Sequence, residues 1–286
     1  HAGIAAAGRL LDIGCGNGAF LRAWQRSGRL WTLHGFEVSD HNRDQVEAIP
    51  GVEALHVGDV HKVPGEFDLI TLVHVLEHIP SPQTYLADLR TRLRPGGQVL
   101  VQVPDCARNP FMLLVADHCS HFSVEGLAAV VQAAGFDVLH ATNEWIAKEV
   151  SVVARGADRP AAPTSTPLSA AESDVIFGGG RWLGEVLARV EAARRTPPFG
   201  LFGTSIAATW LQAQVEGAAV FFVDEDPHRV GREHLGRPIL APAQVPAGAT
   251  VFVALPQPLA GRVAARVTRP DVRVVLPPEA PVGGGK

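Results

Sequence analysis

Cysteine is scarce in this chain of 286 residues: Cys15, Cys106 and Cys119 are an odd number and show no CxxC spacing. That argues against a disulfide framework and against a structural zinc site, so no metal is expected and the three read as buried thiols. Basic runs are missing as well. The net charge of −4 comes from intermixed Lys, Arg, Asp and Glu, which leaves no electrostatic footprint for a phosphate polymer and makes nucleic acid an unexpected partner. No apolar stretch approaches the roughly 20 residues that span a bilayer, and the first residues lack the charged and apolar regions of a signal peptide. A soluble, cytoplasmic protein with no membrane partner is the expectation.

The length suits two globular domains better than one. Short apolar runs at 9–13, 31–36, 52–57, 67–73, 98–103, 136–140 and 149–154 alternate with segments such as "AFLRAWQRSG" and "SPQTYLADLRTRLRPGG". Those segments carry apolar residues at i, i+3 and i+4 and end in glycine, as helices do. The alternation predicts an α/β fold with a largely parallel sheet over residues 1–156. After Ala154 the composition turns to Pro, Ala, Ser and Thr without periodicity, which reads as a linker over 157–173. A second, smaller doubly wound α/β domain is expected over 174–280, from the helical "WLGEVLARVEAARR" and the strand patterns "FGLFGTS", "AVFFVDEDP", "TVFVALP" and "VRVVLP". The tail "PVGGGK" is expected to be disordered.

The stretch "LLDIGCGNGAF", residues 10 to 20, sets Gly14, Gly16 and Gly18 directly behind an apolar run. Glycines there let the chain turn sharply and approach a ligand without a Cβ in the way, and the next helix offers its N-terminal N–H groups. With Ala19 the segment also satisfies the dinucleotide pattern GxGxx[GA], so the glycines alone do not choose between cofactors. The acids around them do. Asp12 stands at the end of the first strand, Glu37 closes the second in "HGFEVSD", and Asp59 closes the third in "VGDV". Three carboxylates at adjacent strand ends suit an ammonium, a ribose diol and an adenine amine, and would repel a pyrophosphate.

"LDIGCGNGAFL", "FEVS", "GDV", "FDLITLVHVLEHI" and "LRPGGQVLVQVPD" resemble the successive motifs of class I S-adenosylmethionine-dependent methyltransferases, over roughly residues 9 to 156. The resemblance implies a Rossmann-like domain whose seven-stranded sheet has its last strand antiparallel, and S-adenosyl-L-methionine as cofactor, with S-adenosyl-L-homocysteine as product. It implies that Asp12 and the loop of Gly14, Cys15, Gly16, Asn17 and Gly18 hold the methionine portion, Glu37 the ribose, and Asp59 with the backbone of Val60 the adenine. His74 would lie near the methionine end, with Glu77 and His78 toward a small-molecule acceptor.

A proton acceptor is sought in "ADHCSHFSVEGL", residues 116 to 127, ahead of a helix capped by Ser123. His118 and His121 titrate near neutrality, and Asp117 is placed to orient one of them. The alternative is that these histidines only shape a helix entry on the substrate side. A metal site built from Asp117, His118, Cys119 and His121 is set aside because the ligands are too close in sequence. His56 and His140, on strand patterns, read as ordinary packed or surface side chains.

The C-terminal half, "FGLFGTSIAATWLQAQ" with "VFFVDEDPHRVGREHLGRPILAP", resembles the C-terminal Rossmann-like domain of bacterial sugar C-methyltransferases and the small domain of sugar N-acyltransferases. In the former a "HEHLSYFS" segment carries the base. Laid on this chain, its second His falls on His118, its Glu on Asp117 and its Tyr on His121. The resemblance implies deprotonation by His118 beside a keto group, and a nucleotide-sugar site lined by Gly203, Thr204, Ser205, Asp224 and Asp226; a plain turn and capped strand end is the alternative. The cysteine-rich zinc domain with which those enzymes usually begin has no counterpart among these residues, and "TSIAAT" replaces their longer, lysine-bearing loop. O- or N-methyl transfer, a nicotinamide-dependent oxidoreductase and a non-catalytic cofactor-binding module are the competing functions.

Overall fold

The computed structural model describes residues 3, 5–157, 170–257, 259–267 and 269–281. They divide into two compact units, one of residues 1–105 and 117–172, the other of 106–116 and 173–286. Most of the linker expected at 157–173, and the tail from 282 onward, lie outside the described residues.

In the first unit the strands are β1 (Ala7–Ile13), β2 (Leu30–Glu37), β3 (Val52–Val57), β4 (Phe67–Val73), β5 (Leu93–Pro104), β6 (Phe136–Thr142) and β7 (Glu149–Gly156). Between them run α1 (Ala19–Gln25), α2 (Arg43–Glu47), α3 (Pro82–Arg90) and α4 (Val124–Ala133). The sheet order is β3-β2-β1-β4-β5-β7-β6, parallel except for β7, which runs antiparallel to both neighbours. Residues 10 to 13 of β1 are all buried, because a central parallel strand is covered on both faces. Leu10 packs with Leu21, Trp31 and Ile49 on one side, and Leu11 with Phe36, Ile70 and Leu72 on the other. The chain leaves β1 toward β2 and β3, then crosses back to lay β4 on the opposite edge of β1. That reversal opens a crevice beyond the carboxyl ends of β1 and β4, where ligands of open α/β sheets bind.

A buried histidine tunes this unit to pH. His34, 1% exposed on β2, accepts at Nε2 from Arg9 Nη2 at 3.1 Å, which leaves Nδ1 to donate to His56 Nε2 at 3.2 Å. A protonated ring would turn an N–H toward the guanidinium, and burial together with Arg9 pushes the His34 pKa down from 6.5 to about 4. A lowered histidine pKa gives stability that is full above the unfolded value and is lost as pH falls toward the folded one. Urea unfolding is therefore expected to show a loss of up to roughly 3 kcal/mol between pH 6.5 and 4, and His34→Gln should flatten that slope.

The second unit contains α5 (Ala170–Ala193), β8 (Phe199–Phe202), α6 (Ile206–Gln214), β9 (Phe221–Val223), β10 (Glu233–His234), β11 (Arg237–Leu240), β12 (Thr250–Val253), α7 (Leu259–Ala264) and β13 (Arg273–Val275). Its six-stranded sheet has the order β10-β11-β9-β8-β12-β13. Trp182, Val186 and Val190 form a buried stripe along α5 at helical spacing. Two boundaries differ from the sequence reading. Helix α5 begins at Ala170, inside the expected linker, and segment 106–116, expected in the first domain, groups with the second unit. Phe111 is the reason for the second difference: it is buried edge-on against the Trp182 ring, with centroids 4.8 Å apart. Among the described residues no helix is long and apolar enough to cross a membrane.

Candidate functional site

The crevice is built from the glycine loop, the ends of β2 and β3, and the turn after β4. Gly14 and Gly16 have φ of 66° and 54°, where a side chain is strained. A Cβ on Gly14 would meet Val75 Cγ2 at 2.4 Å, so the loop lies directly against the turn that carries His74, Glu77 and His78. A Cβ on Gly16 would meet nothing within 4 Å, which leaves that face of the loop open to a ligand. The loop is pinned from β2: Phe36 O accepts from Gly14 N at 2.9 Å, and Glu37 Oε1 accepts from Gly16 N at 2.7 Å. Glu37 Oε2 takes the N–H of Val38 at 3.1 Å, so the carboxylate is oriented by backbone at both oxygens.

Asp12 is 2% exposed and opposite Thr71 in the β1–β4 register, and its Oδ1 accepts from the Thr71 hydroxyl at 2.6 Å. Burial raises its pKa to about 7, against the Thr71 bond and reinforced by Glu37. Such a carboxyl is half protonated near neutrality. Cys15 is buried, and its pKa is pushed up to about 12 by burial, Asp12 and Glu37, which makes the thiol inert. Asn17 is exposed and turned to α1, accepting from Arg22 at its backbone oxygen (2.8 Å) and at Oδ1 (3.2 Å). Gly18 is the N-cap of α1. Asp59 Oδ1 accepts from His61 N at 3.0 Å, capping the short turn 60–62, beside the buried Val60.

The turn after β4 gathers the titratable groups. His74 has a positive φ of 56°, uncommon outside glycine. Its Nδ1 lies 3.3 Å from Glu77 Oε1 and its Nε2 3.4 Å from Glu149 Oε2, and the Glu77 carboxylate holds the imidazole above its usual pKa. Glu77 is 2% exposed, and neither of its oxygens has a hydrogen-bond partner. Ser120 N donates to Glu77 O at 3.1 Å, which ties the segment carrying His118 to this turn. The His118 ring stands edge-on to His78 with centroids 5.0 Å apart, and His121 lies further out, 6.1 Å from His118. Burial lowers the pKa of both His118 and His121, so both are neutral imidazoles near pH 7. One donor atom each of Glu77, His78 and His118 lies within 4.8 Å of the others.

Several sequence expectations are corrected here. Asp117 pairs most closely with His78, whose Nδ1 lies 3.0 Å from Asp117 O and 3.4 Å from Oδ2, and acts on His118 only through its charge. Cys119 is an exposed thiol rather than a buried one, with Sγ 3.5 Å from His78 O. Ser123 caps α4 as expected, accepting from Gly126 N at 3.0 Å. Thr71 and Glu149 escaped the sequence reading because strand pairing alone brings them to Asp12 and His74.

In the second unit, Thr204 Oγ1 donates to Asp224 Oδ2 at 2.7 Å and accepts from Arg229 Nη1 at 2.7 Å, while Arg229 Nε lies 3.4 Å from Asp226 Oδ2. Gly203, with φ of 106°, makes the turn into this network, and Ser205 is the N-cap residue of α6, its side chain making no capping bond. Burial raises the Asp224 pKa, but the Asp226 N–H, Thr204 and Arg229 outweigh it and hold the carboxyl below its usual range.

Residues 2–141 match the methyltransferase domain family. Over 103 residues the chain is 36% identical to an uncharacterized 37.1 kDa protein in transposon TN4556 of Streptomyces fradiae, covering 33% of this chain and 30% of that protein. Over 125 residues it is 31% identical to the ubiquinone biosynthesis O-methyltransferase of Azotobacter vinelandii, covering 38% of this chain and 48% of the relative. The chain thus spans less than half the length of these curated relatives. A solved structure of the Burkholderia thailandensis 1,6-didemethyltoxoflavin-N1-methyltransferase, with bound 1,6-didemethyltoxoflavin and S-adenosylhomocysteine, aligns at a TM-score of 0.44 and 18% identity, over 53% of this chain and 72% of that one. With its parallel sheet, its glycine loop and its family match, the first unit belongs to the class I S-adenosylmethionine-dependent methyltransferase domains.

Proposed function

We propose that the protein transfers the methyl group of S-adenosylmethionine to a small-molecule acceptor, a sugar or nucleotide-sugar, forming a carbon–methyl bond beside a keto group. The observation that carries methyl transfer is the buried Asp12 beneath an open glycine loop, with Glu37 at the end of β2 and Asp59 just beyond β3. In this reading Asp12 takes the cofactor's ammonium, Gly14 to Gly18 cradle its methionine portion with His74 alongside, Glu37 meets the ribose, and Asp59 with Val60 meets the adenine.

A sulfonium carbon already carries an excellent leaving group, so the protein has to align the nucleophile and remove a proton. Alignment is worth roughly 7–11 kcal/mol and a placed base about 10²–10⁴-fold. His118 is the proposed proton acceptor, supported by its neutral state and its place beside Glu77 and His78. It takes the proton on the carbon next to the keto group, that carbon attacks the methyl, and the sulfonium electron pair returns to sulfur. Glu77 and His78 face the acceptor. Gly203, Thr204, Ser205, Asp224 and Asp226 are the proposed nucleotide-sugar contacts of the second unit.

Oxygen methylation is the second reading, favoured by the names of the ubiquinone biosynthesis relatives. The two separate by NMR of product formed from S-adenosylmethionine with a carbon-13 methyl and a panel of nucleotide-linked sugars and keto-sugars. An upfield, carbon-bound methyl is expected. A downfield, oxygen-bound one would retain methyl transfer and reject the carbanion.

A further inference from the structure

We propose that Glu77, His78 and His118 together bind one divalent transition-metal ion, of which zinc is the type, at the acceptor end of the crevice. The three donor atoms already lie within 4.8 Å of one another. What distinguishes them from a chance surface cluster is Glu77. Its carboxylate is 98% buried and neither oxygen has a hydrogen-bond partner, and leaving such a group unsatisfied costs several kcal/mol unless something completes it. His74, 3.3 Å from one oxygen, meets it on one side; two imidazoles stand on the other.

The contacts of His78 choose its tautomer. A backbone carbonyl only accepts, so the 3.0 Å contact with Asp117 O requires the proton on His78 Nδ1, and the Asp117 carboxylate at 3.4 Å reinforces that choice. With that proton on Nδ1, the ring lone pair lies on Nε2 and is available to ligate. This carbonyl- and carboxylate-backed histidine is the support that metal-bound imidazoles ordinarily have. His118 is half-buried, and zinc bonds of about 2.0–2.1 Å require the donors to close to about 3.4 Å. One carboxylate oxygen and two imidazole nitrogens suit zinc, cobalt, manganese or iron better than magnesium or calcium, which prefer oxygen alone. Three protein ligands leave a position open for an acceptor oxygen, whose proton or enolisable neighbour the ion would acidify.

The site deepens the proposed methyl transfer by making His118 a ligand in place of the proton acceptor, and rests on that reading only for its purpose; the binding is measurable without cofactor or acceptor. Untagged full-length protein, stripped with a chelator, is titrated with ZnCl2 by calorimetry and with CoCl2 by visible spectroscopy. One equivalent is expected to bind, with cobalt d–d bands of four- or five-coordinate intensity, and MgCl2 should not compete. Glu77→Gln and His118→Ala should each weaken zinc binding by more than about 100-fold, and Asp117→Ala by about 10- to 100-fold, the range of a lost supporting contact. His118 is only half-buried, so its removal is expected to leave the fold intact, and His140→Ala, an exposed histidine elsewhere, should change nothing. Absence of stoichiometric binding, or binding unchanged in both Glu77→Gln and His118→Ala, overturns the proposal. Methyl transfer by protein that binds no metal would leave the cofactor reading standing while this one falls.

Discussion

Replacing Asp12 by Asn is expected to weaken S-adenosylhomocysteine binding by about 10- to 100-fold while the fold survives. The substitution keeps the shape and an oxygen to accept the Thr71 hydroxyl, and removes only the charge. A hydrogen bond to a charged group is worth about 1.5–3 kcal/mol, which sets that range. Asp12→Ala also strips Thr71 of its acceptor and should abolish binding. The sign of the pH effect follows from the raised pKa. Free Asp12 titrates at about 7 because it is buried. An ammonium ligand binds the carboxylate form and lowers that pKa, so affinity should fall by up to tenfold per pH unit below about 7 and level off above it. Calorimetry of wild type and Asp12→Asn between pH 6 and 8 checks both parts. Equal affinities, or equally sloped profiles, would place the ammonium elsewhere.

The proposed cofactor end of this site is legible in the sequence because its information is local. An apolar run followed by three glycines within five residues specifies strand and turn together, and each acid at 12, 37 and 59 announces itself by interrupting or closing an apolar run. The acceptor end was legible only as a list of candidates, because its geometry is made by chain segments far apart in sequence. His74 meets Glu149 because antiparallel β7 returns beside β5, whose Pro104 pairs with Glu149 and whose Gln102 accepts the His74 N–H. Asp117 looks in sequence like the partner of its neighbour His118, yet adjacent side chains rarely face each other, and the turn of the chain delivers it to His78. Segment 106–116 was misplaced for a related reason. Phe111 is apolar in either unit, and only the Trp182 ring reveals which core it fills.

His118→Ala is expected to slow methyl transfer by about 10²–10⁴-fold, the contribution of a placed general base, with S-adenosylhomocysteine affinity unchanged because His118 is not among the proposed cofactor contacts. Its pH signature separates a base from a shape-filling side chain. Burial outweighs the attraction of Glu77 and Asp117 and holds the imidazole below its usual 6.5. The wild-type rate should therefore stay flat through neutrality and fall only on the acid side of 6.5, and that limb should vanish in the variant. A variant that is slower but keeps the limb points to positioning alone. The proposed metal ion gives the same residue a different part, since a ligated Nε2 or Nδ1 has no lone pair to spend on a proton. Chelation discriminates: if His118 is the base, metal-free wild type transfers at full rate and only the substitution is slow. If His118 acts as a ligand, chelation of wild type reproduces the loss and added zinc restores it, while in His118→Ala zinc at the same concentration does not.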